Sequence, residues 1–356
     1  MAGPATNSAD LLARLAQSPD VYPQGMDLIH QALLLIKFDA DSYRAASFLD
    51  DRILTPNVRG VWVRFDRVSA AAPAVQNAQP LHFIFHTGHV GSTLVSRLLD
   101  ESGLVLPLRE PLPLRILANA HDSLGQPDSL VSETQFDALL ALLDRLWGRG
   151  YPWSRAVVLK ATSSAGRLAG PLLSRRPAAR AICLNLKPEP FLAALLAGQN
   201  SPADMRGHGA ERVRRLMRLV AIERPKPLHA LSLGELAAMS WLTETATQHE
   251  AMAQFGERIL RLDFDDVLAD VPASIGRVAS HFGLSVDQRF LAGLAQSGAL
   301  TRYAKAPEHA YTPLVRTQLL NDSRRVNAGE IAKGLAWLDD IARASAKAAA
   351  VLQSYR

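Results

Sequence analysis

Cysteine is almost absent: Cys183 is the single one in 356 residues. One thiol can form no internal disulfide and no cysteine-based metal site, and its place in the apolar run 180–186 makes it a small core residue. Long apolar runs are missing as well. No stretch approaches the roughly 20 residues that a membrane-spanning helix requires. Residues 1–17, which include Asp10, lack the basic-then-apolar order of a secretory signal. Nor does either sign of charge dominate, since 39 Lys and Arg against 34 Asp and Glu leave a net +5. Basic clusters such as Arg212-Val213-Arg214-Arg215 read as a solvated helix face, and none is interleaved with aromatics as a nucleic-acid surface would be. These absences point to a cytoplasmic protein with neither a membrane nor a nucleic-acid partner, and they carry no signal for an oligomeric state.

What is present is globular: 48% hydrophobic and 21% charged residues, in a chain long enough for one large α/β domain with an appendage. Residues 10–38 suggest helix, broken at Pro19 and at Pro23-Gln24-Gly25, and 42–53 suggest another. Residues 58–68, VRGVWVRFDRV, alternate as a strand or hairpin would. Residues 70–80 have the Ala, Pro, Gln and Asn of a linker. The division expected is therefore a mostly helical N-terminal extension, 1–80, and an α/β domain, 81–356. Beyond it, short apolar runs (81–86, 103–106, 155–162, 180–186, 258–263) alternate with helical patterns, including 132–147, 211–222, 233–255 and a long helix over 329–352. Short buried strands alternating with helices imply a parallel sheet in a three-layer, P-loop-like fold.

The most informative stretch is LHFIFHTGHVGSTLVSRLLD, 81–100. A buried strand, a turn with Gly88 and Gly91, and a helix opened by Ser92 and Thr93 together make an anion site, because free N–H groups and the positive end of the helix dipole converge there. A Walker loop would place Lys before the Ser/Thr to reach a nucleoside triphosphate, and here Gly91 precedes Ser92 directly. His86 and His89 lack a carboxylate or cysteine partner for a metal, and Asp263, Asp265 and Asp266 read as a helix cap.

The run His89-Val90-Gly91-Ser92-Thr93-Leu94 resembles the phosphosulfate-binding loop of the sulfotransferase family, Lys/Arg-Ser-Gly-Thr-Thr after a strand. Arg109-Glu110-Pro111 is similar to that family's Glu-Pro segment. Residues 262–268, then Pro272 and Phe282-Gly283-Leu284, are similar to its Tyr-Glu-Asp-Leu…Pro…Phe-Leu-Gly-Leu region. Arg302-Tyr303-Ala304-Lys305 with Tyr311 resembles a late basic loop that closes over the donor. The resemblance spans about 81–311 and implies a divergent bacterial-type member. It implies transfer of a sulfuryl group from 3′-phosphoadenosine 5′-phosphosulfate, without a metal, to a hydroxyl or amine of a small-molecule or carbohydrate acceptor.

Carried onto this chain, the donor site falls to Gly88, His89, Gly91, Ser92 and Thr93, with Lys160, Lys187, Arg302 and Lys305 as further donor contacts. Glu110 is the candidate base, and a protonated His89 stands where the family has Lys or Arg. One departure concerns the 3′-phosphate. The family's Arg-x-Pro and following serine are replaced by Lys187-Pro188-Glu189-Pro190 and then Ala193-Ala194. Two other readings remain: a P-loop kinase or nucleotide hydrolase, and a catalytically silent nucleotide-binding or interaction protein.

Overall fold

The computed structural model describes residues 8–72 and 78–355. After a helix, Ser8–Leu15, the chain forms a three-stranded antiparallel sheet, β1 (Val21–Asp27), β2 (Ala32–Lys37) and β3 (Gly60–Arg64), in the order β1-β2-β3. The helix expected over 10–38 is thus replaced after Leu15 by a hairpin, and the N-terminal extension is not mostly helical. Ala32-Leu33-Leu34-Leu35-Ile36 is an apolar run too short for periodicity to separate strand from helix. Gln31, at φ 52°, turns the chain into it. The helix expected over 42–53 shrinks to Ala40–Ala45 and a 3-10 turn at Asp51–Ile53, while β3 gives way at once to a helix, Phe65–Ala71. Residues 73–77 of the linker-like stretch 70–80 lie outside the described residues.

The centre of the fold is a five-stranded parallel sheet. Its strands are β4 (Leu81–His86), β5 (Val105–Arg109), β6 (Ala156–Lys160), β7 (Ala181–Asn185) and β8 (Ile259–Asp263), in the order β5-β6-β4-β7-β8. All six residues of β4 are buried, as they must be for a strand covered on both faces. Alternation sorts them: Leu81, Phe83 and Phe85 join a core that also contains Leu33, Tyr43, Leu49 and Val63 from the N-terminal segment. Ile84 joins the opposite core, with Val95, Ile182 and Trp241. Cys183 lies in the first of these cores, where burial pushes its thiol up to about 12.

Local signals place the helices. Ser132 and Gln135 form the reciprocal cap expected at the start of Glu133–Trp147. Ser232 and Glu235 repeat it at Leu233–Phe255, most of whose residues are buried. The long C-terminal helix is in fact two, Ala328–Ala344 and Ala346–Gln353, because the Ser345 hydroxyl accepts from the Ala348 N–H at 3.1 Å and starts a new helix. A two-stranded hairpin, β9 (Arg302–Tyr303) and β10 (Ala306–Ala310), follows the main sheet in sequence. Among the described residues, no helix is long and apolar enough to cross a membrane.

Candidate active site

Polar residues gather where the parallel strands end: His86 on β4, Glu110 after β5, Lys160 on β6 and Asn185 on β7. In an open α/β sheet this carboxyl edge is where ligands bind. The loop 86–91 leaves β4 here and enters the helix Ser92–Asp100. Its start is pinned. Thr87 Oγ1 donates to Asn185 Oδ1 (2.9 Å), and Asn185 Nδ2 donates to Thr245 Oγ1 (2.9 Å), all of them buried.

His86 is part of the scaffold. Its Nδ1 accepts from the Gly88 N–H (3.0 Å), so the proton sits on Nε2, which donates to the Ala161 carbonyl (2.8 Å). Burial first, and then the Lys160 ammonium, hold the ring neutral by lowering its pKa well below the usual value. With both nitrogens used, His86 is free neither to ligate a metal nor to act as a base. No group of three or more His, Cys, Asp or Glu suited to a metal occurs among the described residues.

The loop itself presents unsatisfied donors. The N–H groups of His89, Val90 and Gly91 find no partner among the described residues, and the first helical bond runs from the Val95 N–H to the Gly91 carbonyl. Thr93 is 2% exposed, and its Oγ1 is buried without a hydrogen-bond partner among the described residues. Buried polar atoms are nearly always paired, so an orphan at a helix N-terminus marks a place for an anion. Gly91 is required twice over: φ is +68°, and a Cβ there would stand 2.0 Å from the Phe264 ring.

His89 also has positive φ, 55°, and no hydrogen-bond partner among the described residues. It is open to solvent yet ringed by protein, and this enclosure, followed by the nearby Lys305 ammonium, pushes its pKa down. Both effects favour the neutral imidazole in the free protein, where the sequence suggested a protonated His89. Lys305 is the cation that stands there instead. It is half-buried, pairs with no carboxylate among the described residues, and lowers the pKa of His86, His89 and Lys160 alike.

Over the loop lies a cavity of ≈ 410 Å³. His89, Gly91, Ser92 and Thr93 form its floor, Phe264, Leu268 and Leu320 its apolar walls, and Arg302, Tyr303, Lys305 and Tyr311 the hairpin side. Glu110 does not line this cavity but is joined to His86 through Lys160, whose Nζ is 3.5 Å from His86 Nε2. Its backbone is at φ 57°, its N–H donates to the Lys160 carbonyl (2.7 Å), and its carboxylate forms an ion pair with the fully buried Lys160. Burial drags the Lys160 pKa down while Glu110 pulls it back up. Non-glycine residues at positive φ are uncommon, and two of them, His89 and Glu110, lie close enough for the Glu110 carboxylate to raise the His89 pKa slightly against the larger lowering effects.

Lys187 is not brought here. It lines a separate cavity with Arg261, Asp263, Asp265 and Asp266, away from the loop cavity where the other expected donor contacts Arg302 and Lys305 lie. Asp263 caps the next helix through the Asp265 N–H (2.8 Å), as expected. Sequence reasoning missed Phe48, whose ring centroid is 5.9 Å from Lys160 Nζ, and Arg97, which binds the hairpin. Phe48 lies outside every motif, and Arg97, although on the helix that the loop opens, carries no mark in the sequence of its bond to Ala304.

No family model matches the chain, and no curated protein matches it. Solved structures are similar to it at low sequence identity. They include mouse sulfotransferase SULT7A1 complexed with PAP, at 12% identity and TM-score 0.40, covering 79% of this chain and 90% of that one. Sulfotransferase STF9 from Mycobacterium avium has 12% identity and TM-score 0.36, covering 92% and 98%. Retinol dehydratase in complex with androsterone and inactive cofactor PAP has 12% identity and TM-score 0.35, covering 95% and 94%.

Proposed function

We propose that this protein is a sulfotransferase that moves a sulfuryl group from 3′-phosphoadenosine 5′-phosphosulfate to the hydroxyl or amine of a small acceptor. The observation that carries this reading is the loop 88–93, whose unpaired N–H groups and buried, partnerless Thr93 hydroxyl open onto a cavity of nucleotide size with aromatic walls. The loop has no lysine, which disfavours a nucleoside triphosphate. In place of Lys187 and the missing serine, Arg302 and Lys305 on the hairpin supply positive charge at the cavity.

In this reading the loop N–H groups and the Ser92 and Thr93 hydroxyls hold the donor's sulfate and 5′-phosphate. The acceptor oxygen attacks sulfur in line with the bridging oxygen. Its proton passes to Glu110, the S–O bond to the phosphate breaks, and 3′,5′-ADP leaves with the electron pair. Lys160, fixed on Glu110, keeps that carboxylate aimed, and positioning of this kind supplies most of the acceleration in such transfers. His89, neutral and without a partner, donates to or accepts from the reacting oxygens as its tautomer allows. The donor parts fall in 81–356, a cytoplasmic catalytic domain by this reading, and the preceding segment closes the acceptor side with Phe48.

Calorimetry tests this. Binding of 3′,5′-ADP in preference to ADP, and to ATP with Mg²⁺, supports the reading. Preference for ATP with Mg²⁺ would make the protein a kinase or hydrolase, and no nucleotide binding would make it an interaction protein.

A further inference from the structure

We propose that Arg97 is a positioning residue that latches the β9–β10 hairpin and thereby holds Lys305 over the anion loop. The proposal rests on the donor site described above. Arg97 lies in the last turn of the helix that the loop opens. Its Nε donates to the Ala304 carbonyl (2.9 Å), next to Lys305. Its Nη2 donates to Ser47 Oγ (2.8 Å) and the Ala45 carbonyl (3.3 Å), and the Ser47 hydroxyl donates to the same Ala304 carbonyl (3.4 Å).

Among the described residues the two bonds to the Ala304 carbonyl are the only hydrogen bonds that reach 302–310 from elsewhere. The rest are internal, such as Arg302 Nη1 to the Pro307 carbonyl (3.1 Å), or close the base of the hairpin, from the Tyr311 N–H to the Thr301 carbonyl (2.9 Å). One carbonyl therefore holds the tip. Holding it matters because Lys305 stands near the buried Lys160, and like charges repel most where water is scarce. Without the latch, that repulsion drives the tip outward; with it, an ammonium is kept in place for an arriving anion.

A role in merely capping the helix Ala40–Ala45 does not account for Arg97. Arg109 already does that, donating through Nη1 to the Tyr43, Arg44 and Ala46 carbonyls at 3.1, 3.0 and 2.9 Å. Arg97 reaches two further acceptors, Ala304 O and Ser47 Oγ, on separate segments. A planar guanidinium can serve both, and a lysine ammonium on a flexible stem cannot do so in the same geometry.

The test compares wild type with Arg97→Ala, Arg97→Lys, Ser47→Ala, Lys305→Ala and the Arg97→Ala/Lys305→Ala double variant. Tryptic nicking after Arg302 and Lys305 in the native protein should quicken about tenfold in Arg97→Ala and less in Ser47→Ala, and Arg97→Lys should not restore protection. Binding of 3′,5′-ADP should weaken about tenfold in Arg97→Ala, as for one charge-assisted contact. It should weaken similarly in Lys305→Ala and no further in the double variant. Unchanged nicking in the Arg97 and Ser47 variants overturns the latch, as do losses that multiply in the double variant. If wild type binds no 3′,5′-ADP the donor reading fails, while nicking still decides the latch. Should Arg97→Ala not fold, Arg97→Lys and Ser47→Ala carry both comparisons.

Discussion

Thr93→Val should raise the stability of the free protein and weaken its hold on the donor, two changes of opposite sign. Thr93 is 2% exposed and its Oγ1 has no protein partner among the described residues, so the free protein bears the cost of a buried hydroxyl with no protein hydrogen bond. That cost is about 1–3 kcal/mol. Valine keeps the shape and the β-branch, so rotamer entropy and packing barely change. Urea unfolding without ligand should therefore show a gain of about 1 kcal/mol or more, with an unchanged m-value. With ligand the sign reverses. The lost bond to an anionic oxygen is worth about 1.5–3 kcal/mol, or roughly 10–150-fold in Kd for 3′,5′-ADP. Thr93→Ser, which keeps the hydroxyl, should bind nearly as wild type. A free protein destabilised by Thr93→Val, or an unaltered Kd, would refute the idea that this hydroxyl waits for a ligand.

Other substitutions probe the neighbours. Gly91→Ala adds a Cβ 2.0 Å from the Phe264 ring at φ +68°; backbone strain and overpacking together should remove roughly 2–5 kcal/mol of stability, read from the urea midpoint. Glu110→Gln should leave 3′,5′-ADP binding within about twofold while turnover falls at least roughly 100-fold, the usual contribution of a general base; near-normal turnover removes Glu110 from that role. Acid should destabilise the fold through His82, which burial, then His281 and Arg180, pushes down to about 4. A histidine whose folded pKa lies below its unfolded value leaves stability flat above about pH 7 and lowers it as pH falls through 6.5 toward 4. At pH 5 the loss from His82 is about 2 kcal/mol, and a His82→Phe variant that folds should lose less stability between pH 7.5 and 5.

How much of this was legible beforehand follows from distance along the chain. The strand, glycine turn and helix of 81–100 read correctly, because burial on both faces, positive φ and a helix N-terminus are properties of neighbours in sequence. So did the parallel sheet and the Ser132 cap. The hairpin β1–β2 was misread as helix because Leu33 to Ile36 are apolar on every face, a pattern that names burial and not conformation.

Tertiary structure decided the electrostatics. Whether His89 is charged depends on the walls around it and on Lys305, more than 200 residues later in the chain. Lys187 follows β7 at the same sheet edge, yet the packing of 261–266 and Tyr355 turns it into another cavity. Arg97 looks like an ordinary helix-surface arginine until Ser47 and Ala304 arrive beside it. Local backbone preferences are written in short runs of residues and can be read there. The charge state and reach of a side chain depend on dielectric and on partners that only the folded chain brings within a few ångströms.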